Sequence, residues 1–115
     1  MWDGLNLRRF PRLPHQCRIS IQLERSSAKQ TSRTTDISLG GVCVILSKPT
    51  IRKRLCKIKL KLSPKHNSIE GIGRIAWSVP TKQKIKGKKV YDVGVEFVKF
   101  DPISLNKLTR FLAQK

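Results

Sequence analysis

Apolar and polar residues alternate along several stretches of this chain, and a period of two is typical of half-buried β-strands. The first stretch is residues 17–23, where Cys17, Ile19, Ile21 and Leu23 share one face. Residues 42–46 form a continuous apolar run and predict a more deeply buried strand. Residues 56–62 alternate again, with a lysine at every second position, and predict a strand with a basic outer face.

Two longer strands are predicted near the C-terminus, at residues 69–79 and 90–98, with a lysine-rich loop at residues 80–89 between them. Residues 26–35 are polar and mostly small, so they predict a loop. The chain closes with a short helix, because Asp101 suits an N-cap, Pro102 suits the first helical position, and leucines then recur at spacings of three and four.

This order of elements predicts an all-β fold, a small antiparallel β-barrel with one C-terminal α-helix, since closure removes the exposed edges of so small a sheet. A chain of 115 residues has room for one domain. We expect residues 1–15 to be a flexible N-terminal arginine arm, residues 16–100 to be the barrel, and residues 101–115 to be a helix belonging to the same domain.

Charge points to an anionic partner, because 25 Lys and Arg residues against seven acidic ones give a net charge of +18. Charge alone does not choose among nucleic acid, acidic lipid, an acidic protein surface and a phosphorylated small molecule. No apolar run approaches the ~20 residues of a membrane span. The N-terminus lacks the basic-then-apolar order of a secretory signal, so we expect a cytoplasmic protein.

The three cysteines, Cys17, Cys43 and Cys56, are odd in number and far apart, without a CxxC pair. This spacing favours neither a disulfide framework nor a zinc site. We expect all three to be small core residues and expect no metal.

The N-terminal segment carries Arg8, Arg9 and Arg12 between prolines, which favour an extended loop over a helix. Two guanidinium groups four residues apart on such a loop can straddle a phosphate or stack on a purine. A solvated basic tail is the alternative interpretation.

A second candidate is the turn that starts at Asp36 and continues through Ser38, Gly40 and Gly41. A carboxylate accepts two parallel hydrogen bonds from the Watson–Crick edge of guanine, so Asp36 can read that base. Ser38 can hold the turn, and the glycines permit a positive φ or a close backbone approach. An ordinary polar turn before a strand has the same composition.

Together, Arg-x-x-x-Arg ahead of the first strand and Asp-x-Ser-x-x-Gly before the second resemble the PilZ domain family, bacterial receptors of cyclic di-GMP. The matching residues are Arg8, Arg12, Asp36, Ser38 and Gly41. Residues 71–77 and 91–97 resemble late strands of that family. The resemblance implies a six-stranded split barrel with the arginine loop folded over a surface-bound ligand.

Residue roles follow from the resemblance. It implies that Arg8 and Arg12 grip phosphates and contact guanine, with Arg9 beside them, and that Asp36 and Ser38 contact a guanine edge. It also implies an open backbone at Gly40 and Gly41 and a stacking surface at Trp77. A half-buried strand aromatic is an equally good interpretation of Trp77. The implied function is a receptor, with no catalysis and no cofactor, that orders its arm on binding and signals to an effector protein.

Two alternatives stay open. One is a basic nucleic-acid-binding β-barrel that uses two lysine groups as a phosphate track, although seven aromatic residues leave few stacking platforms and no motif points to specific nucleic acid. These lysines are Lys57, Lys59 and Lys61 on the third strand and Lys82, Lys84, Lys86, Lys88 and Lys89 in the late loop. The other is a PilZ-like interaction module that does not bind the nucleotide.

Overall fold

Seven strands and one helix occupy residues 13–65 and 67–114, which are the residues that this computed structural model describes. Along the chain they are β1 (Leu13–Pro14), β2 (Arg18–Leu23), β3 (Gln30–Ile37), β4 (Gly41–Leu46), β5 (Leu55–Lys61), β6 (Ile69–Ile85), β7 (Lys88–Phe100) and α1 (Pro102–Ala113).

Six of the strands form a closed antiparallel barrel. Their hydrogen-bonded order is β3-β2-β5-β6-β7-β4, and a further pairing between β3 and β4 completes the ring. The short strand β1 lies outside this ring and pairs with the end of β3. The predicted all-β barrel with one C-terminal helix is therefore confirmed, with one additional strand.

The core is built from the inward positions of the alternating strands. Ile19 and Ile21 of β2 face Ile58 and Leu60 of β5, and all four are buried. Burying such a side chain contributes about 1.5–3 kcal/mol relative to exposure. Leu108 and Phe111 of α1 join the same apolar cluster, so the helix packs onto the barrel as part of one core.

The helix begins as its sequence predicts. The Asp101 carboxylate accepts hydrogen bonds from the Ser104 N–H at 2.8 Å and the Ser104 hydroxyl at 3.0 Å, and Pro102 occupies the first helical position. These bonds hold the pKa of Asp101 below its usual range. In the part of the chain described, no helix has the length and apolar character needed to cross a bilayer.

The predicted loop at residues 26–35 is wrong over most of its length, because Gln30–Ile37 forms β3. Its inward positions are mainly polar, and two of them have hydrogen-bond partners: the Ser32 hydroxyl donates to the Ile45 carbonyl at 2.6 Å, and the Thr34 hydroxyl is bonded on both sides. A buried hydroxyl with partners avoids most of the cost of burial, so the strand forms without an apolar alternation that sequence could reveal.

The predicted loop at residues 80–89 is also mostly strand. β6 continues to Ile85 and β7 starts at Lys88, so only Lys86 and Gly87 make the turn, both with positive φ (54° and 76°). Such a two-residue turn matches the twist of a hairpin. We call the hairpin formed by the end of β6 and the start of β7, residues 82–89, the ribbon. All of its residues are exposed, and without a buried face it shows no alternation of apolar residues.

The cysteines divide into two groups. Cys17 and Cys56 belong to the core cluster, as predicted, whereas Cys43 is buried but lies outside that cluster. Burial raises the pKa of Cys17, and it raises the pKa of Cys56 from 9.0 to about 11.

Cys56 predicts a loss of stability in alkali. Above pH 9 the thiol ionises in the unfolded chain but stays protonated in the folded one up to about pH 11, so the free energy of unfolding falls across this window. In urea unfolding at pH 7, Cys56→Ala should have a lower free energy of unfolding than the parent. This difference between parent and variant should narrow by roughly 2 kcal/mol towards pH 11, because only the parent carries the thiol. A difference in free energy of unfolding that does not change with pH would contradict the raised pKa of Cys56.

Candidate functional site

The turn between β3 and β4 is held by Ser38. Its hydroxyl oxygen accepts from the N–H groups of Gly40 at 3.0 Å and Gly41 at 3.3 Å, and its own N–H donates to the Gly41 carbonyl at 2.9 Å. The Phe97 N–H donates to the Gly40 carbonyl at 2.9 Å and fastens the turn to β7. Ser38 is only 1% exposed, so its hydroxyl is engaged inside the turn.

Gly40 and Gly41 are both buried, and neither takes the positive φ that their residue type permits. Among the described glycines only Gly87 has a positive φ. A left-handed backbone is therefore not the reason for glycine in this turn.

Asp36 reaches the outside of the barrel because β3 contains a bulge. Thr34 lies opposite Val44, and both are buried in the barrel. Residues two apart on a regular strand share a face, so Asp36 would otherwise also point inward. The register shifts by one residue between Thr34 and Asp36, which places Asp36 opposite Cys43 on the outer face.

Trp77 reaches the same outer face by a second bulge. Ile75 lies opposite Val95, and both side chains are fully buried. A register shift between Ile75 and Trp77 then places Trp77 opposite Gly94, and it is half-buried there. Without the extra residue its indole ring would point into the core.

These shifts align four residues of four neighbouring strands. Asp36 of β3 lies opposite Cys43 of β4, Cys43 lies opposite Gly94 of β7, and Gly94 lies opposite Trp77 of β6. Directly opposed residues of an antiparallel sheet project to the same side. We call this set the site row.

The indole ring of Trp77 lies directly on the Gly94 backbone. A Cβ atom at Gly94 would lie 2.1 Å from Cζ3 of Trp77, closer than any real contact allows. The ring thus extends along the row towards Asp36 and ends about two strand spacings from it, roughly 10 Å. The row combines a carboxylate at one end with an aromatic surface at the other.

The N-terminal segment is anchored beside Asp36. In the β1–β3 pairing, Leu13 lies opposite Ile37 and Pro14 lies opposite Asp36. The buried Thr34 hydroxyl donates to the His15 carbonyl at 2.7 Å and accepts from the Cys17 N–H at 3.0 Å, which joins β1 to β2 along β3. Arg8, Arg9 and Arg12 lie outside the described residues, and Leu13 directly follows Arg12.

An ion pair borders the site row. Gly41, Glu96 and Arg74 form the neighbouring row, in which Arg74 Nη1 lies 3.5 Å from Glu96 Oε1. Within residues 13–65 and 67–114 no three His, Cys, Asp or Glu side chains converge as metal ligands do. The chemistry on offer is hydrogen bonding, stacking and charge.

Two members of the site row escape prediction from the sequence. Cys43 reads as a core residue because it lies in an unbroken apolar run, although its side chain belongs to the outer face. Gly94 has a usable signal, because a glycine inside a strand often marks a close approach, here by the indole ring.

Gly94→Ala tests the contact with Trp77. The added methyl group displaces the ring, and we expect a loss of roughly 1–3 kcal/mol in urea unfolding. In a Trp77→Ala background the same change should cost little, because the three atoms nearest the new Cβ all belong to Trp77. Equal losses in both backgrounds would contradict the contact.

Thr34→Val tests the anchor of the N-terminal segment. It leaves the His15 carbonyl and the Cys17 N–H without their partner, so we expect destabilisation of roughly 1–3 kcal/mol in the same assay. The matched control is Thr31→Val on the exposed face of the same strand, with an expected change within about 0.5 kcal/mol. Similar losses for both would show that the two bonds contribute nothing.

Comparisons with known structures agree with this architecture. The chain superposes on Bacillus subtilis inhibitor of motility (MotI/DgrA) with a TM-score of 0.74 at 15% identity, covering 93% of this chain and 49% of that one. It superposes on the PilZ domain of Escherichia coli YcgR, solved with c-di-GMP, with a TM-score of 0.72 at 14% identity, covering 93% and 89%. For the K. pneumonia MrkH–c-di-GMP complex the TM-score is 0.73 at 15% identity, covering 93% and 51%.

This chain thus spans about half the length of MotI and MrkH and most of the YcgR domain. A search of curated protein sequences found no match. The family model described as PilZ domain matches residues 6–114, from the arginine segment to the end of the helix. The barrel, its terminal helix and this match together show that the chain belongs to the PilZ domain family.

Proposed function

We propose that this chain is a receptor for cyclic di-GMP and that the ligand lies across the site row. The observation that carries the proposal is the pairing of Pro14 with Asp36, because it brings the root of the arginine arm to the Asp-x-Ser-x-x-Gly turn. Two related folds, the YcgR domain and MrkH, were solved with this dinucleotide.

Each end of the site row offers a distinct contact. The Asp36 carboxylate, on the outer face, suits the two adjacent donors of a guanine edge. The indole of Trp77 offers a flat surface to a base, about 10 Å further along the row. Arg8 and Arg12 supply permanent charge for the phosphates, with Arg9 as a neighbour.

Ser38 serves this site as a positioning residue. Its hydroxyl is committed to the backbone of Gly40 and Gly41, so it fixes the path of the chain just after Asp36. Gly40 and Gly41 are themselves buried, so they contribute to the path of the turn and not to an open backbone surface.

Binding would signal by ordering the arm. Fixing the backbone costs about 1–2 kcal/mol per residue, and hydrogen bonds to charged groups contribute about 1.5–3 kcal/mol each, so several arginine contacts offset the ordering of a short arm. The changed surface would meet an effector protein. This proposal involves no catalysis and no cofactor, and the reduced cysteines Cys17, Cys43 and Cys56 suit a reducing cytoplasm.

Titration calorimetry with cyclic di-GMP tests the site. Arg8→Ala, Arg12→Ala and Asp36→Ala should each weaken binding at least tenfold, which corresponds to loss of one charge-assisted hydrogen bond. Asp36→Ala should also reduce the preference over cyclic di-AMP. The matched control is Arg110→Ala in the last turn of α1, which removes one arginine but lies outside the site row.

Circular dichroism keeps the test interpretable, since all four variants should retain the spectrum of the parent. Unchanged affinity in Arg8→Ala, Arg12→Ala and Asp36→Ala would overturn the site assignment. Failure of the parent itself to bind would favour the non-binding interaction module.

A further inference from the structure

The positive charge that the candidate site does not use is organised on a different part of the barrel. Arg33 of β3 lies opposite Arg18 of β2, and Arg18 lies opposite Lys61 of β5. All three are exposed, and none forms an ion pair with a carboxylate of the described residues. Like charges directly opposed across strands are destabilising, so folding alone does not favour this arrangement.

The cations continue along β5. Lys57, Lys59 and Lys61 repeat on its outer face, about 6.6 Å apart, while neighbouring strands lie about 4.8 Å apart. We call the outer faces of β2 and β5, with the Gln30–Arg33 part of β3, the basic wall. Its only ion pair among described residues joins Lys59 to Glu70 at 4.0 Å, with both side chains more than half exposed.

Three recesses lie among these cations and their basic neighbours. One of about 320 Å³ is lined by the row of Arg18, Arg33 and Lys61. A second of about 640 Å³ is lined by Lys29, Lys57, Lys59 and Lys99, together with Glu70 and Asp101. Lys29 also borders a third, of about 480 Å³, which holds three more lysines and no carboxylate: Lys48, Lys86 and Lys88.

The centre of the basic wall, on β2 and β5, lies across the barrel from the centre of the site row, on β4 and β7. In the ring β3-β2-β5-β6-β7-β4, β2 is three strands from β7 and β5 is three strands from β4, whichever way the ring is followed. The β4–β7 pair carries Cys43 and Gly94 of the site row. Only the Gln30–Arg33 part of the wall shares a strand with the site row, because Asp36 also lies on β3. A molecule centred on β2 and β5 therefore need not compete with one centred on β4 and β7.

The composition of the wall favours one class of polyanion. No described aromatic residue lies on it, whereas single-stranded nucleic acids are held by stacking on aromatic rings. It also lacks the apolar centre of a typical protein interface, since its other outward residues include Ser20, Gln22 and Thr31. A grid of cations without stacking platforms suits the phosphate backbone of a duplex.

We propose that the basic wall binds double-stranded nucleic acid through its phosphates, independently of base sequence. Neutralised phosphates release counterions, so the affinity should fall steeply as salt rises. The proposal does not depend on cyclic di-GMP binding, because none of the cations that define the wall belongs to the site row.

The affinity for duplex can be measured by fluorescence anisotropy, with a labelled duplex of random sequence and roughly 20 base pairs at about 0.1 M salt. The triple variant Arg18→Gln/Arg33→Gln/Lys61→Gln should bind at least tenfold more weakly and lose about 2.7 from the slope of log K against log salt. Lys82→Gln/Lys84→Gln/Lys89→Gln removes the same charge from the ribbon, borders none of the three recesses, and should lose less than about threefold. Asp36→Ala should bind like the parent.

Thermal unfolding separates a binding surface from a structural one. The wall variant should be at least as stable as the parent, because it relieves repulsion between opposed cations. Equal losses in both triple variants would overturn the proposal by showing that net charge alone attracts the duplex. Tighter binding to phosphatidylserine vesicles or to polyglutamate than to duplex would overturn it in favour of a membrane or an acidic protein.

Discussion

This molecule depends on which residues of each strand face the core and which face outward. In a closed barrel each residue faces either the core or the outside, and a shift by one residue exchanges the two. Asp36 and Trp77 each follow an inward residue by two positions, so regular strands would send both into the core. An unpaired carboxylate there would be strongly destabilising. One extra residue in β3 and one in β6 resolve this conflict.

Both bulges lie beside β4 and β7, and this placement links the core to the surface. The inward residues before the shifts, Thr34 and Ile75, keep their places in the barrel. The outward residues after them join a single row across four strands. A change that removed either bulge would therefore affect core packing and the candidate site together.

The strands predicted from the sequence are those with an alternating pattern of buried and exposed residues, together with the continuous apolar run that became β4. β2 and β5 show this alternation plainly, and α1 shows its capping residues. β3 lacks it because most of its inner positions are polar, among them Ser32 and Thr34 with their hydrogen-bond partners, and the ribbon at residues 82–89 lacks it because both faces are exposed. The Asp-x-Ser-x-x-Gly turn was found as a motif, but the outward position of Cys43 depends on strand pairing. The register between two strands and the position of a bulge cannot be read from the residues of one strand alone.

The bonds of the Thr34 hydroxyl have a consequence for how the arm can act. They fix the start of β2 and the end of β1 against β3, so the residues before Leu13 are tethered at a point next to Asp36. A short tether of this kind holds its attached groups at millimolar effective concentration. Under the proposed function, capture of a phosphate by Arg8 and Arg12 would therefore be an intramolecular event that requires no second encounter from solution.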